Sequence, residues 1–213
     1  MSLFVLTERV NVTTSCATTD KVYAMHLWPC SPLLAQCILA FHEDFKGKTV
    51  LELGSGGTAL PGISASKCGA RVIFTDRENH KEALSLCRKN CQANGIVEPD
   101  IRELDWTVLC DANSLPKLDW VIASDCFYDP TVFSSLTAVI APLIKRNAGS
   151  KCLLAFQERN SDWSIDILLE KWKLNCELVE PAKYHGQCLT VPGFDTELRQ
   201  HTVHTHSADY LLC

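Results

Sequence analysis

The stretch VLELGSGGTALPG, residues 50–62, joins a short apolar run to a cluster of glycines and the start of a helix. An apolar run bounded by a turn is typical of a buried strand. A glycine turn at its carboxyl end lets the backbone approach a ligand closely and directs helix N–H groups toward it. The glycines alone do not identify a ligand, because a tight strand-to-helix turn also needs glycine for steric reasons.

Strand and helix patterns alternate from about residue 48 onward. Short apolar runs predict strands in TVLEL, RVIFT, DIREL, DWVIAS and KCLLAF, and amphipathic runs predict helices at 59–68, 78–93, 131–146 and 162–174. A further helix is predicted from Ser31 to Phe41, where it covers one face of the sheet. This alternation predicts an α/β fold with a doubly wound, mostly parallel sheet.

The length and composition are those of an ordinary globular domain. The chain has 213 residues, of which 46% are hydrophobic and 21% are charged, and no linker-like tract divides it. We therefore expect a single domain spanning residues 1–213. Residues 1–22, rich in Thr and Ser and without a clear period, are predicted to be a mobile or edge segment.

Several function classes are disfavoured by composition. No apolar run approaches the roughly 18 residues of a membrane-spanning helix, and the first ten residues lack a signal-peptide pattern, so we expect a cytoplasmic and nuclear protein without membrane contact. Its twelve cysteines lie in apolar contexts and are predicted to be reduced core thiols. The net charge of −5 argues against direct nucleic-acid binding and is compatible with a basic protein partner.

A carboxylate follows the glycine turn at an informative distance. Asp76 ends the strand RVIFT, roughly 20 residues after the glycines, where a carboxylate can accept hydrogen bonds from both hydroxyls of a ribose. This arrangement is shared by nicotinamide and adenosylmethionine sites. The alternative is that Asp76 caps the helix that begins near Glu78.

Two further loops follow strands of the same predicted sheet, Asp105-Trp106 and Ser124-Asp125. Since the carboxyl ends of neighbouring parallel strands share one crevice, these loops are expected to converge with the glycine turn. Trp106 could form the flat wall on which an adenine stacks, although a lone Trp is more often part of the core.

Asp125 is followed by two aromatic residues, Phe127 and Tyr128, which suit a cationic group. The alternative is a carboxylate that caps the next helix, for which Asp129 is better placed. In the tail, His201, His204 and His206 lack the spacing of a closed metal site, so no metal is predicted.

Six motifs in order resemble the seven-strand class I methyltransferases, and within them the methyltransferase-like family of protein lysine and arginine methyltransferases. They are LWPCSPLLAQ, VLELGSG followed by LPGISASKCGA, FTD, LDW, ASDCFYDP and QERNSDWSIDILLEKW. The resemblance runs from about Leu27 to Trp172 and implies a single methyltransferase domain with its cofactor-binding core at 48–174 and an antiparallel last strand.

The resemblance also implies a cofactor, S-adenosyl-L-methionine, and a role for each matching residue. Trp28, Gly54, Ser55 and Gly56 would border its methionine part, Asp76 its ribose, Trp106 its adenine, and Ser124 its edge. Asp125 and Tyr128 match the element that faces the acceptor nitrogen, and Phe127, Tyr128 and Trp163 would line the acceptor channel. The implied substrate is a basic protein such as a histone, with chaperone or complex partners.

The chain departs from the family pattern at two places. Thr58 stands where a third alternate glycine is common, with Gly57 displaced by one position, and the turn is expected to be altered but workable. Residues 201–213, HTVHTHSADYLLC, are more polar than the family's last strands, which puts the seventh strand in question.

Several functions stay open at this point. The main prediction is a protein N-methyltransferase acting on arginine, and the first alternative is lysine. A non-catalytic binding protein of the same shape is an alternative of another class. So is a nicotinamide-dependent oxidoreductase, because GSGGTA also fits GxGxxA.

Overall fold

The computed structural model describes residues 12–13, 20–77, 81–106, 114–146, 148–157, 165–179 and 208–212. The strands are β1 (Thr49–Leu53), β2 (Arg71–Asp76), β3 (Asp100–Glu103), β4 (Trp120–Ser124), β5 (Lys151–Gln157), β6 (Glu177–Leu178) and β7 (Ala208–Leu212). The helices are a 3₁₀ helix (Asp20–Met25), α1 (Cys30–Ala40), α2 (His42–Phe45), α3 (Leu60–Lys67), α4 (Lys81–Ala93), α5 (Pro130–Arg146) and α6 (Asp166–Lys171).

Five strands pair in parallel, in the order β3-β2-β1-β4-β5. The sheet reaches seven strands only through two more beyond β5, where β7 pairs antiparallel with β5 and with the two-residue β6. The prediction of a doubly wound, mostly parallel sheet is thus confirmed. Because the chain runs outward from β1 to β3 and then returns to β4 on the other side, the strand order reverses between β1 and β4, and that reversal creates a crevice at their carboxyl ends.

Two apolar layers cover the two faces of the sheet. Side chains alternate along each strand, so Leu51 and Leu53 of β1 join the layer that contains α5 and α6. Val50 points to the opposite layer, which contains Leu34 of α1 and Ile63 of α3. Burial on both faces explains why the strands read as continuous apolar runs in the sequence.

The predicted elements agree with the structure to within a few residues. The helix expected at 59–68 is α3, and Gly69 follows it with φ of +87°. The helix expected at 162–174 is shorter, because within the described residues it begins only at Asp166.

The first 22 residues lie mostly outside the described ranges; among those described, Val12 contacts the apolar layer and the exposed Thr13 is hydrogen-bonded to Asn90.

Seven of the described cysteines are free thiols, as expected from their apolar contexts: Cys30, Cys37, Cys68, Cys87, Cys91, Cys126 and Cys152. Burial raises the pKa of the Cys37 thiol to about 12, which keeps it protonated and unreactive. Cys176, in contrast, is disulfide-bonded, so the prediction of reduced thiols is wrong at that position. Within the described part of the chain, no helix is both long and apolar enough to cross a membrane.

Candidate functional site

One cavity of about 270 Å³ opens where the carboxyl ends of β1, β2 and β4 meet. The structure brings all nine residues predicted for the site to its walls: Trp28, Gly54, Ser55, Gly56, Asp76, Trp106, Ser124, Asp125 and Tyr128. Sequence reasoning missed seven other lining residues: Tyr23, Ala24, His26, Ser31, Thr58, Arg77 and Cys126. The His residues of the tail lie outside the described ranges, and no group of metal-binding side chains occurs among the described residues.

The glycine turn between β1 and α3 needs glycine at two positions. Gly54 has φ of +62° and Gly56 has φ of +58°, both in the left-handed region that a residue with a Cβ rarely adopts. A Cβ on Gly54 would also lie 2.8 Å from the Sγ of Cys126, and one on Gly56 would lie 2.7 Å from the carbonyl oxygen of Ala24. At both glycines, therefore, another part of the chain lies closer to the turn than a Cβ would allow.

The displaced glycine has a different reason. A Cβ on Gly57 would lie 2.8 Å from the Cδ2 of Leu86 on α4, so this position needs glycine for helix packing rather than for backbone conformation. Thr58, the departure from the family pattern, is buried and lines the cavity.

Asp76 ties the end of β2 to the glycine turn. Its carboxylate is 6% exposed and accepts hydrogen bonds from the backbone N–H groups of Gly56 and Arg77, each at 2.8 Å. These contacts hold one carboxylate at the rim of the cavity, immediately beside the turn. Helix α4 begins at Lys81, and the residues between Arg77 and Lys81 lie outside the described part of the chain.

Trp106 belongs both to the core and to the cavity. Its ring is 5% exposed, packs within the apolar layer of α5, and comes close to the position of a Cβ on Gly54. Its indole N–H makes no hydrogen bond to the residues that the structure describes, although it is fully buried. The guanidinium of Arg77 lies over the ring, with its Cζ 5.3 Å from the ring centroid. The core position expected of a lone Trp is thus confirmed, and the role of Trp106 as a wall for adenine stays a prediction.

Asp125 follows β4 and connects it to α1. It is 7% exposed, has φ of +53°, and its Oδ2 accepts a hydrogen bond of 2.7 Å from the backbone N–H of Cys30. That N–H is one of the unpaired donors at the start of a helix, so Asp125 acts as a cap for α1 rather than for α5. Asp129 bonds the backbone N–H and the hydroxyl of Thr131 at the start of α5, as the alternative anticipated.

The two aromatic residues after Asp125 have different surroundings. Phe127 is 4% exposed and packs edge-on against Phe133 and Phe156, so the prediction that it lines the acceptor channel is wrong. Tyr128 lines the cavity and is 37% exposed. Partial burial raises the pKa of the Tyr128 hydroxyl, and the charge of Arg77 offsets part of that rise. Trp163 lies outside the described residues.

An aromatic group from the N-terminal part of the chain forms the opposite wall. Trp28 stacks on Tyr23 with ring centroids 5.2 Å apart, and its indole N–H donates to the carbonyl oxygen of Tyr23. His26 meets Trp28 edge-on at the same distance. The sequence signal that could have found Tyr23 and His26 is their closeness to Trp28 in the chain.

Glu52 is a buried carboxyl just before the glycine turn. It is 1% exposed, and burial is the main reason that its pKa is raised to about 8. Its Oε1 accepts a hydrogen bond of 3.2 Å from the N–H of Gly62. The side chain is therefore protonated and neutral at pH 7. It does not line the cavity but accepts its hydrogen bond from Gly62 in α3.

A family model described as lysine methyltransferase matches residues 11–166, more than half of the chain. A Mus musculus protein named histone-arginine methyltransferase METTL23 is 38% identical over 155 residues, which cover 72% of this chain and 61% of the mouse protein. The Homo sapiens protein of that name is 37% identical over 153 residues, covering 71% of this chain and 80% of the human protein.

A more distant relative carries a different acceptor in its name. The Mus musculus protein N-lysine methyltransferase METTL21A is 30% identical over 144 residues, covering 64% of this chain and 63% of that protein. The matched part of this chain thus spans about three fifths of each of the two mouse relatives.

Solved structures share the fold at low sequence identity. A precorrin-6y C5,15-methyltransferase from Geobacter metallireducens has a TM-score of 0.54 at 12% identity, covering 83% of this chain and 84% of that one. An O-methyltransferase family protein from Burkholderia thailandensis has a TM-score of 0.53 at 16% identity, covering 86% and 55%. At these identities the likeness concerns the fold alone, which is the Rossmann-like fold of methyltransferases.

Proposed function

Since this chain belongs to the lysine methyltransferase family, we propose that it is a protein N-methyltransferase that uses S-adenosyl-L-methionine and modifies arginine in a basic protein such as a histone. The proposal rests on one observation: the cavity lined by Gly54, Gly56 and Asp76 is also lined by Asp125 and Tyr128. A methyl donor and a cationic acceptor need such a shared, largely dehydrated space.

The residues present fit the cofactor. The left-handed Gly54 and Gly56 bring the backbone of the turn to the cavity wall without side chains, and the buried indole N–H of Trp106 has no hydrogen-bond partner among the described residues. Unpaired buried polar groups are costly, so a ligand that bonds to them gains affinity. When bound, this cofactor supplies a methyl group activated by a positively charged sulfur.

The cofactor side of the cavity would act through hydrogen bonds. We assign Asp76 to the ribose hydroxyls, because its carboxylate lines the cavity beside the glycine turn and a carboxylate can accept hydrogen bonds from both hydroxyls. Trp28, Gly54, Ser55 and Gly56 would enclose the methionine part, Trp106 the adenine, and Ser124 the edge of the cofactor.

The acceptor side would act through charge. A guanidinium has a pKa above about 12, so it reacts only if a carboxylate holds its positive charge as the new bond forms. Asp125 is the carboxylate in position for this, since it lines the cavity and its Oδ2 is held by the backbone N–H of Cys30. Tyr128 would line the acceptor channel and orient the nitrogen.

Lysine is the alternative acceptor within the same family. The family description names lysine, whereas the curated relatives with the higher identities carry arginine in their names. A lysine must first lose a proton, and Asp125 is the only described carboxylate in the cavity besides Asp76. The two acceptors are separated by the pH dependence of methylation, because only the lysine reaction rises steeply with pH above neutrality.

The test uses the full chain with labelled cofactor. Calorimetric titration with S-adenosyl-L-methionine and with NAD comes first, and we expect heat release with the methyl donor alone. Binding of NAD alone would overturn the proposal in favour of an oxidoreductase. Incubation with histones and with a cell extract, followed by mass spectrometry, then identifies the modified residue. Cofactor binding without methylation of any protein would favour a non-catalytic binding protein.

The proposed partners follow from the proposed substrate. A chain with net charge −5 attracts basic proteins by long-range electrostatics, and histone methylation requires access to the nucleus or to newly made histones in the cytoplasm. Chaperone or complex partners belong to the same proposal. They can be sought by co-purification with the tagged full chain.

A further inference from the structure

Asn90 is a buried polar residue on the apolar face of α4. It is 2% exposed and shares that face with Ala83, Cys87 and Cys91. A buried amide costs folding free energy unless its hydrogen bonds are satisfied, and an apolar residue would pack at such a position without that cost. The reason for an amide at this position therefore lies in what it bonds.

The Asn90 side chain joins two distant parts of the chain. Its Nδ2 donates to the carbonyl oxygen of Gly57 at 2.8 Å and to that of Thr13 at 3.1 Å. Its Oδ1 accepts from the backbone N–H of Thr13 at 2.8 Å. One side chain thus holds both backbone groups of Thr13 and the glycine turn at the same time.

The N-terminal segment meets the glycine turn a second time. The backbone N–H of Gly57 donates to the carbonyl oxygen of Ala24, against which a Cβ on Gly56 would collide. Gly57 is therefore bonded at both of its backbone groups: its N–H donates to the carbonyl oxygen of Ala24, and its carbonyl oxygen accepts from the side chain of Asn90. Ala24 and its neighbours Tyr23 and His26 line the cavity.

We propose that Asn90 is a positioning residue for cofactor binding: it bonds Thr13 and the carbonyl oxygen of Gly57, and so holds in place the glycine turn that forms one wall of the cavity. Asn90 itself is not among the residues that line the cavity. This inference takes the identity of the cofactor from the proposed function. The link between Thr13 and the glycine turn rests on the hydrogen bonds of Asn90 alone.

Cofactor affinity should depend on the NH2 group of the Asn90 side chain, which donates to Gly57 and Thr13. In Asn90→Ala, Gly57 and Thr13 lose their partner and the wall is no longer held. In Asn90→Asp, the oxygen that accepts from Thr13 remains but the donor to Gly57 and Thr13 is gone. Both variants are expected to raise the KM for S-adenosyl-L-methionine about tenfold, the effect of losing one or two buried hydrogen bonds, while kcat at saturation stays within about threefold.

Asn94 offers a matched control next to the end of the same helix. It is 7% exposed, and its Nδ2 donates to the backbone carbonyl of Asn90 at 2.7 Å rather than to the glycine turn. Asn94→Ala removes a buried amide of equal size next to the end of α4 while the bond from Asn90 to Gly57 stays available, so it is the control for the loss of a buried amide in this region. Its KM for the cofactor is expected to stay within about threefold of the wild type.

Hydrogen exchange without cofactor completes the test. Asn90→Ala is expected to speed amide exchange at Thr13, at residues 20–26 and at residues 54–58, whereas Asn94→Ala leaves these rates near wild type. Asn90→Ser takes the place of Asn90→Ala if the latter does not fold. Equal KM values and equal exchange for the Asn90 and Asn94 variants would overturn the inference. If the wild type does not bind the cofactor, the proposed function fails, and the exchange experiment alone decides the role of Asn90.

Discussion

Asp76 and Asp125 are two buried carboxylates on the same cavity, yet the chain holds them in different ways. Asp76 accepts from Arg77, its neighbour, and from Gly56, 20 residues away in the adjacent strand-turn-helix unit. Asp125 accepts from Cys30, which is 95 residues away. The carboxylate on the cofactor side is thus held within one local unit, whereas the carboxylate on the acceptor side is held by the start of α1, far away in the sequence.

The backbone shows the same contrast. Asp76 is the last residue of β2 and keeps an extended conformation, while Asp125 has φ of +53°, which costs a non-glycine residue about 1 kcal/mol or more. The surrounding structure must supply that free energy, and the described contacts at Asp125 include the bond from the N–H of Cys30 to its carboxylate and the bond from its own N–H to the carbonyl oxygen of Ala155. We infer that the acceptor side is the more easily disturbed of the two.

The largest effect is expected from removing the local carboxylate. Asp76→Ala takes away the proposed partner of the ribose and also frees the N–H of Gly56, so cofactor affinity should fall at least about 100-fold. Isothermal titration measures it directly. Asp100→Ala, which removes an exposed carboxylate paired with Arg102, is the control and should leave binding unchanged. Near-normal cofactor affinity in Asp76→Ala would rule out the assigned role.

A change at the distant carboxylate should separate catalysis from binding. Asp125→Asn keeps an oxygen that can accept from Cys30 but loses the negative charge, so the methylation rate should fall about 10-fold to 100-fold while cofactor affinity stays within about threefold. Single-turnover rates with labelled cofactor measure the difference.

The control for this comparison lies in the same loop. Asp129→Asn changes an exposed carboxylate that bonds Thr131, and its methylation rate is expected to stay near wild type. If Asp125→Asn weakens cofactor binding as strongly as Asp76→Ala does, the cavity has no separate acceptor side and the contrast between the two carboxylates fails.

The sequence predicted what depends on local pattern. The strand TVLEL, the glycine turn and the residues at the ends of β2 and β4 could be found because apolar periodicity and turn chemistry are written in neighbouring residues. Their meeting in one cavity followed from the rule that parallel strands share a crevice at their carboxyl ends.

What the sequence could not predict are side-chain directions and distant pairings. Phe127 was expected in the acceptor channel, but its ring lies in the core and packs against Phe133. The bonds of Asn90 to Gly57 and Thr13 join residues 33 and 77 positions apart. Hydrophobic periodicity does not indicate such a pairing, although a polar residue on a buried helix face does indicate that it has a hydrogen-bond partner.

A third buried carboxyl, Glu52, sharpens the comparison because burial is the main influence on its pKa. Asp76 and Asp125 each accept at least one backbone N–H bond shorter than 3 Å, whereas the Oε1 of Glu52 accepts one at 3.2 Å and desolvation raises the pKa from 4.5 to about 8. At neutral pH it is protonated, so Glu52→Gln should leave cofactor affinity within about threefold, the smallest of the three effects.

The effect of the Glu52 carboxyl should instead appear in the pH dependence of the free energy of unfolding. Between pH 4.5 and 8 the folded protein keeps the Glu52 proton while the unfolded chain loses it, so the free energy of unfolding falls as pH rises through that window and levels off above it. Urea titrations at pH 5 and pH 7.5 are expected to show wild type losing a few kcal/mol relative to Glu52→Gln, at on the order of 1 kcal/mol per pH unit. Glu103→Gln, at an exposed position on β3, should follow wild type at both pH values. A wild type that gains stability relative to Glu52→Gln as pH rises would mean that Glu52 is ionised in the fold and that its burial is compensated by a charge or donor near the cavity.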